Sequence, residues 1–277
     1  MVLAGYIASI GIGLSLGLIG GGGSILTIPI LVWFFHIDPV LASTYSLFVV
    51  GFTSLAGSIS HFRKGNVNVS LSLILGIPSL IVIFIMRKWI MPALPEHITT
   101  IGRFELTRPV LLMLVFACLM LTASILMIRK TAPPAKSSQM PTAAHNPQPP
   151  NGPPPASLPR LIGLSLLIGA ITGFVGVGGG FLIIPSLVLF ARLPMKTAVG
   201  TSLLIMTLSS LLGVLGDISR PIAIDYSFLS TFSAFAVTGV LAGSYLNKYV
   251  NDIRLKPLFG WFVLSMGIAV LINTLYK

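Results

Sequence analysis

The chain has 277 residues, 55% of them hydrophobic and only 8% charged, with a formal net charge of +11 and a mean hydropathy of +0.98. A soluble domain carries about 25% charged residues, so a water-soluble globule is excluded. The basic residues stand singly or in pairs between apolar stretches (Arg63-Lys64, Arg87-Lys88, Arg129-Lys130, Arg254, Lys256), with no basic stripe and no interleaved aromatics. That is the spacing of anchors at lipid headgroups and excludes a nucleic-acid partner.

In chain order, apolar segments are predicted at 2–35, 39–62, 69–90, 109–128, 160–191, 194–216, 225–247 and 256–276, most of them long enough to span a membrane. The start, MVLAGYIASI, has no basic flank and reads as the first membrane segment, not a cleaved signal peptide. Segment 2–35 as one straight helix would run about 50 Å against a hydrocarbon layer of about 30 Å. The run Gly20-Gly21-Gly22-Gly23 divides it into pieces of about 18 and 12 residues. Segment 160–191 is divided in the same way at Gly176–Gly180. Glycine is a poor helix former and tolerates positive φ, so both runs are predicted to be breaks. Close helix packing through small residues is the alternative use of such glycines.

The two breaks are the same motif repeated. GLIGGGGSILTIP at 17–29 aligns with GFVGVGGGFLIIP at 173–185 at an offset of 156 residues. The match runs on without a gap through Ala42/Ala198, Ser46/Ser202, Leu47/Leu203, Ser54/Ser210 and Gly57/Gly213. The fold expected is an all-α integral membrane protein of two repeats, 1–130 and 159–277. Each is a glycine-broken segment followed by three transmembrane helices. Between them, 131–158 is a Pro-rich polar stretch that offers no apolar face and reads as a disordered or polyproline-like connector. If each broken segment dips in and returns, most of the 17 Lys and Arg fall on one side of the membrane. The positive-inside rule then puts that side, with the connector, in the cytoplasm. Each repeat crosses three times in this arrangement, so the repeats are inverted.

These motifs resemble the TauE/SafE sulfite exporter family, within the toluene-sulfonate uptake permease group. The residues carrying the resemblance are GLIGGGGSILTIPIL at 17–31 and GFVGVGGGFLIIPSLVL at 173–189. Each is followed by a small-residue-rich helix, ASTYSLFVVGFTSLAGS at 42–58 or AVGTSLLIMTLSSLLGV at 198–214. The likeness covers nearly the whole chain apart from the connector and an insertion near 91–108. It implies a multi-pass protein of the bacterial inner membrane that moves a small sulfur-containing anion, such as sulfite or an organosulfonate, as a secondary transporter, with export the expected direction. The first half departs from the family pattern at Ser43-Thr44-Tyr45-Ser46, where the second half has Val199-Gly200-Thr201-Ser202.

An anion inside a membrane needs donors, and helix N-termini supply unpaired N–H groups and partial positive charge. The expected substrate-binding residues are therefore Gly20, Gly21, Gly22, Gly23 and Ser24 in one half, and Gly176, Gly178, Gly179 and Gly180 in the other. Hydroxyls on the following helices, Thr44, Tyr45 and Ser46 with Thr201 and Ser202, are the second expected set; bonding to their own helix backbone is the alternative use. His61 and Asp217 occupy matched repeat positions and are candidate proton-relay groups. Anchoring at the headgroups is their alternative role, as it is for His36, Asp38, Arg63 and Arg220. The lone Cys118 in the run 110–128 allows no disulfide and no multi-cysteine metal site within the chain and reads as a buried packing residue. No cofactor and no metal is expected. No GxxxxGK[ST] loop occurs, which argues against an ATP-driven pump. A hydrolase dyad of Ser24 and His61 is the enzyme reading; it is weakened because Gly180 and Asp217 replace them in the second half, so no enzyme activity is expected. A passive channel shares the same sequence features. The partners expected are a small anion and membrane lipid, with a homodimer also open. With this topology, a cysteine placed at Ser137 will react with an impermeant thiol reagent only from the cytoplasmic face; labelling from outside would reject the inverted arrangement.

Overall fold

The structure is a computed structural model that describes residues 2–21, 23–101, 104–129, 158–191, 193–218, 224–247 and 252–275. Gly22, Arg220 and nearly all of the predicted connector lie outside the described residues. Helices dominate: α1 (Val2–Ile19), α2 (Ser24–Phe35), α3 (Pro39–Arg63) and α4 (Val69–Ile85) come first. A π-helical turn, Met86–Ile90, joins α4 to the short α5 (Met91–Ala93). Then follow α6 (Arg108–Arg129), α7 (Leu158–Val175), α8 (Gly180–Leu189), α9 (Met195–Ile218), α10 (Tyr226–Leu246) and α11 (Asp252–Leu275). Among the described residues six helices are long and apolar enough to cross a membrane: Pro39–Arg63, Val69–Ala93, Arg108–Ile125, Leu158–Val175, Met195–Asp217 and Tyr226–Leu246. The chain is a multi-pass integral membrane protein.

One expectation, the burial of Cys118, needs correction, and the helical fold is interrupted at the 91–108 insertion. It holds an antiparallel hairpin, β1 (His97–Ile101) with β2 (Phe104–Thr107), where His-Ile-Thr-Thr-Ile and Phe-Glu-Leu-Thr supply the β-branched and aromatic residues that suit a pleated pair. Cys118 is exposed, not buried. Helix α6 keeps Phe116, Ala117 and Met120 inside, and a small apolar thiol one step round the helix is as well suited to lipid as to a core.

Helix starts follow ordinary capping. Asp38 accepts from the Val40 amide at 2.8 Å, with Pro39 in the first turn of α3. Asn68 caps α4 through the Leu71 amide at 3.0 Å, and Asp225 caps α10 through Phe228 at 2.9 Å. These side chains fill the first orphan N–H groups of each helix.

Both glycine runs interrupt the helix. α1 ends at Ile19 and α2 begins at Ser24; α7 ends at Val175 and α8 begins at Gly180. After the first break the chain turns back on itself. Gly23 lies against Ile12 and Leu16 of α1, and at the other end of α2 Phe35 covers Gly5 and meets Tyr6 edge-on at 5.5 Å. α2 therefore runs antiparallel to α1. Phe35 also packs on Phe228 at 4.8 Å, fixing this hairpin to α10.

At the centre α3 and α9 cross antiparallel. Thr44 lies beside Asp217, and His61 lies beside Gly200. Between these ends, a Cβ at Gly57 would stand 3.2 Å from Leu203, and one at Gly213 would stand 3.0 Å from Leu47. α1 packs on α10 and α7 on α4 with their backbones in direct contact. Gly13 sits on the carbonyl of Ala236, and Gly169 sits on that of Ser79. In lipid such association depends on packing and not on hydrophobic burial, so small residues at the seam matter more than bulk. Large apolar side chains such as Ile77, Ile81, Leu167 and Leu241 point outward, as a lipid-facing surface requires.

A side chain at Gly13 would overlap the α10 backbone, whereas Gly11 has open space around it. Gly13→Val is expected to cost about 1–3 kcal/mol through overpacking and to lower the thermal unfolding midpoint in detergent; Gly11→Val serves as the neutral control.

Candidate functional site

The two breaks touch. A Cβ at Gly21 would overlap the backbone of Gly180, and one at Gly180 would reach Gly21 and the sulfur of Met206. The starts of α2 and α8 thus meet in the interior of the bundle. Neither has a side-chain cap: Gly23 precedes α2 and Gly179, at φ +70°, precedes α8. Gly176 also has a positive φ of +82°, a conformation that is cheap only for glycine. Broken backbone of this kind is tolerated at membrane depth only where protein or a water-lined cavity surrounds it, and here each run is packed against the other.

The hydroxyls divide into three groups. Some serve the local backbone: Ser24 donates to the Gly21 carbonyl at 2.8 Å, and Ser202 to Val199 at 2.8 Å. Others tie helices together. The Tyr45 hydroxyl accepts from the Asp225 amide at 2.8 Å, and Thr201 Oγ1 accepts from the Asn68 amide at 3.0 Å. A third group, Ser46, Ser54, Ser210 and Thr172, is buried with no hydrogen-bond partner among the described residues. Two of these flank the second break: Ser210 Oγ lies 3.0 Å from where a Cβ of Gly178 would stand, and Thr172 Oγ1 lies against Gly179. A buried hydroxyl left without a partner is costly, and its position beside uncapped helix starts is one that an oxyanion could satisfy.

The strongest charge in the interior is one that the sequence reading placed at the headgroups. Arg87 is fully buried, and its Nη1 pairs with Asp217 Oδ2 at 3.0 Å. The same nitrogen donates to Ser43 Oγ at 3.0 Å, and Thr44 Oγ1 donates to the same Asp217 oxygen at 2.8 Å. Nη2 lies directly over Gly176, where any Cβ would collide with it. Arg87 faces inward from the π-helical turn, in which the Met91 amide bonds back to the Met86 carbonyl. Its neighbour Lys88 faces out and sits over the rings of Phe84 and Trp89. π-turns occur disproportionately at functional positions.

The expected residues are therefore brought together unevenly. Gly20, Gly21, Gly23, Ser24, Gly176, Gly178, Gly179 and Gly180 lie at the two breaks. Thr44 joins Asp217, while Tyr45, Ser46, Thr201 and Ser202 are buried on the central pair of helices. His61 and Asp217 do not meet. They sit at opposite ends of the α3–α9 pair, about 25 Å apart along the helix axis at 1.5 Å per residue, so no proton passes directly between them. His61 is buried, with neither ring nitrogen hydrogen-bonded among the described residues. Of the end groups, Asp38 caps α3 and His36 ends α2 in a left-handed conformation. The reading missed Arg87, Ser43, Ser210 and Thr172. One signal was present for the ion-pair cluster: Ser43, Thr44 and Asp217 are positions where the two halves differ, facing Val199, Gly200 and His61 in the alignment. Among the described residues no group of three or more His, Cys, Asp or Glu could hold a metal ion.

Residues 6–270 match the family described as Sulfite exporter TauE/SafE. The chain belongs to this family. A protein of Xylella fastidiosa (strain 9a5c), named "Probable membrane transporter protein", is 29% identical over 98% of this chain and 97% of its own. The Bacillus subtilis (strain 168) protein named "Probable membrane transporter protein YdhB" is 26% identical over 87% of this chain and 86% of its own. No solved structure matches. TauE/SafE proteins are membrane transporters and not enzymes, and the Ser24 hydroxyl is bonded to its own backbone at the Gly21 carbonyl.

In this TauE/SafE protein the ion pair is wholly removed from solvent, so breaking it from one side should be severe. Arg87→Met removes the guanidinium from buried Asp217 and is expected to cost about 3–5 kcal/mol; Arg87→Met with Asp217→Leu should recover most of that. Thermal unfolding of the purified variants in detergent measures both.

Proposed function

We propose that the chain is a secondary transporter that exports a small sulfur-containing anion, such as sulfite or an organosulfonate, across the bacterial inner membrane by alternating access. The observation that carries this reading is the meeting of two uncapped half-helix starts, Gly21 against Gly180, inside the bundle. Their N–H groups and partial positive charge suit an oxyanion without a surplus of fixed charge, and the hydroxyls of Ser210 and Thr172 lie alongside. Neutral donors also keep binding weak enough for release. The site residues are buried, so this conformation is occluded and transport requires opening to each side in turn.

Exchange of contacts supports two inverted repeats, 1–130 and 159–277. Gly57 meets Leu203 as Gly213 meets Leu47, and Gly13 meets Ala236 as Gly169 meets Ser79. Tyr45 takes the amide of the α10 cap as Thr201 takes that of the α4 cap. An axis that exchanges the antiparallel α3 and α9 is perpendicular to both helices and so lies in the membrane plane, the geometry of inverted-repeat carriers. The fold-back of α2 on α1 fits broken segments that dip in and return. In this arrangement the connector lies in the cytoplasm, and His61 and Asp217 serve opposite ends of the path.

Counterflow in proteoliposomes tests the reading, with radiolabelled sulfite, thiosulfate, sulfate and methanesulfonate as probes. Uptake of at least one should be accelerated by the same anion on the far side, and Gly180→Val should abolish it while the protein remains folded in the membrane. Flux without acceleration would make the protein a channel; no flux of any probe would reject anion transport.

A further inference from the structure

The interior ion pair points to how an anion could enter without leaving net charge in the membrane. Both partners are fully buried, and together they are neutral. The Asp217 carboxylate accepts from the Arg87 guanidinium and the Thr44 hydroxyl, with Ser43 Oγ on the same guanidinium nitrogen. These are the groups that recognise an oxyanion, and guanidinium is the cation best suited to one. Arg87 lies over Gly176, two residues before Gly178 and the start of α8. The carboxylate thus occupies a ready-made oxyanion position beside the break.

We propose that Asp217 is a resident substitute for the transported anion, and that the anion takes its place on Arg87 only when Asp217 takes up a proton. This rests on the anion-transport reading above and adds its coupling. The balance is simple. One anion and one proton enter together. The anion receives the Arg87 hydrogen bonds, the proton binds the Asp217 carboxylate, and the site stays neutral throughout. An anion entering alone would leave an unbalanced negative charge in a fully buried site, which is strongly disfavoured. On release the proton leaves with the anion and Asp217 closes again on Arg87.

Among the described residues, the titratable groups around the pair are few. Of the elements packed against α9, the π-helical turn contributes Arg87 and the outward-facing Lys88. α3 contributes Ser43, Thr44 and Tyr45 near the pair, exposed Asp38 at its cap, and His61 and Arg63 at the far end. α4 and α8 contain no titratable side chain, and α9 itself adds only Lys196 at its opposite end. Among the described residues the donor set occurs once. At Gly20, the position aligned with Gly176, the neighbours are Ile184 and Val199, so one such anion site is expected per chain.

The test uses the full protein in proteoliposomes with a trapped pH dye, potassium and valinomycin to set the potential, and methanesulfonate as the probe, a monoanion that carries no proton of its own. The native protein should move one proton per anion and be insensitive to membrane potential, since the pair of species is neutral. Asp217→Asn should lower the number of protons moved per anion about tenfold or more, and the counterflow that it retains should become potential-dependent. Arg87→Gln with Asp217→Asn removes both charges, so it avoids an unpaired buried ion, and it should lose counterflow. Native counterflow without proton movement would overturn the coupling alone and leave the transport reading standing. So would proton coupling that survives in Asp217→Asn, or full counterflow in the double variant. No methanesulfonate counterflow by the native protein would reject sulfonate transport and this inference with it.

Discussion

A backbone broken inside hydrocarbon has to find its partners within the protein, and that requirement governs this structure. Gly20–Gly23 and Gly176–Gly180 end α1 and α7 inside the bundle. Each exposed set of amides and carbonyls must then be enclosed. The chain meets this by laying one break on the other, Gly21 on Gly180, and surrounding them with α1, α3, α7 and α9. Side chains larger than hydrogen at these positions would hold the backbones apart and open the interior. The rest of the packing follows: α2 is turned back on α1, α3 and α9 cross behind the breaks, and the outer helices close around them.

The charged part of the interior is arranged differently from the glycine part. The glycine breaks are near copies of each other in sequence, whereas among the described residues the buried ion pair stands at the second break. Arg87, Ser43 and Asp217 converge at Gly176, while the matching place at Gly20 is filled by Ile184 and Val199. An interior of low dielectric makes a single compensated pair tolerable and an additional lone charge prohibitive. The resulting polarity gives the two ends of the central helix pair different chemistry, a buried guanidinium and carboxylate at one and His61 packed on Gly200 at the other.

Much of the architecture was legible in the sequence because its causes are local. Apolar length marks the spans, glycine runs mark the interruptions, and Asp38, Asn68 and Asp225 are capping residues whose chemistry acts within one turn. The hairpin at 97–107 was less visible, since its strands are short and sit within an insertion that offers little periodicity. Arg87 was misplaced for a clear reason. Arg-Lys near the end of an apolar segment has the local appearance of a headgroup anchor, and only the π-helical turn sends the first residue inward and the second outward. That turn has no strong signature in Met-Arg-Lys-Trp-Ile. The partners of Arg87 lie 44 and 130 residues away, beyond any local pattern, although unequal residues at matched positions of the two halves did mark Ser43, Thr44 and Asp217. The exposure of Cys118 was equally hidden, because lipid-facing and core-facing positions are both apolar.

The π-helical turn also makes this protein sensitive to chain length at one particular place. A turn closed by a bond from residue 91 back to residue 86 holds one residue more than an α-turn, and one residue corresponds to about 100° of rotation about the helix axis. The faces of the helix before and after it are out of step by that amount. Deleting a single residue there would leave an unbroken α-helix with every backbone bond made, yet would turn one side of it through more than a quarter circle. Arg87 is kept on the inner surface by how many residues precede and follow it as much as by its own chemistry. A conservative exchange of side chains nearby should thus be easier to tolerate than a one-residue gap.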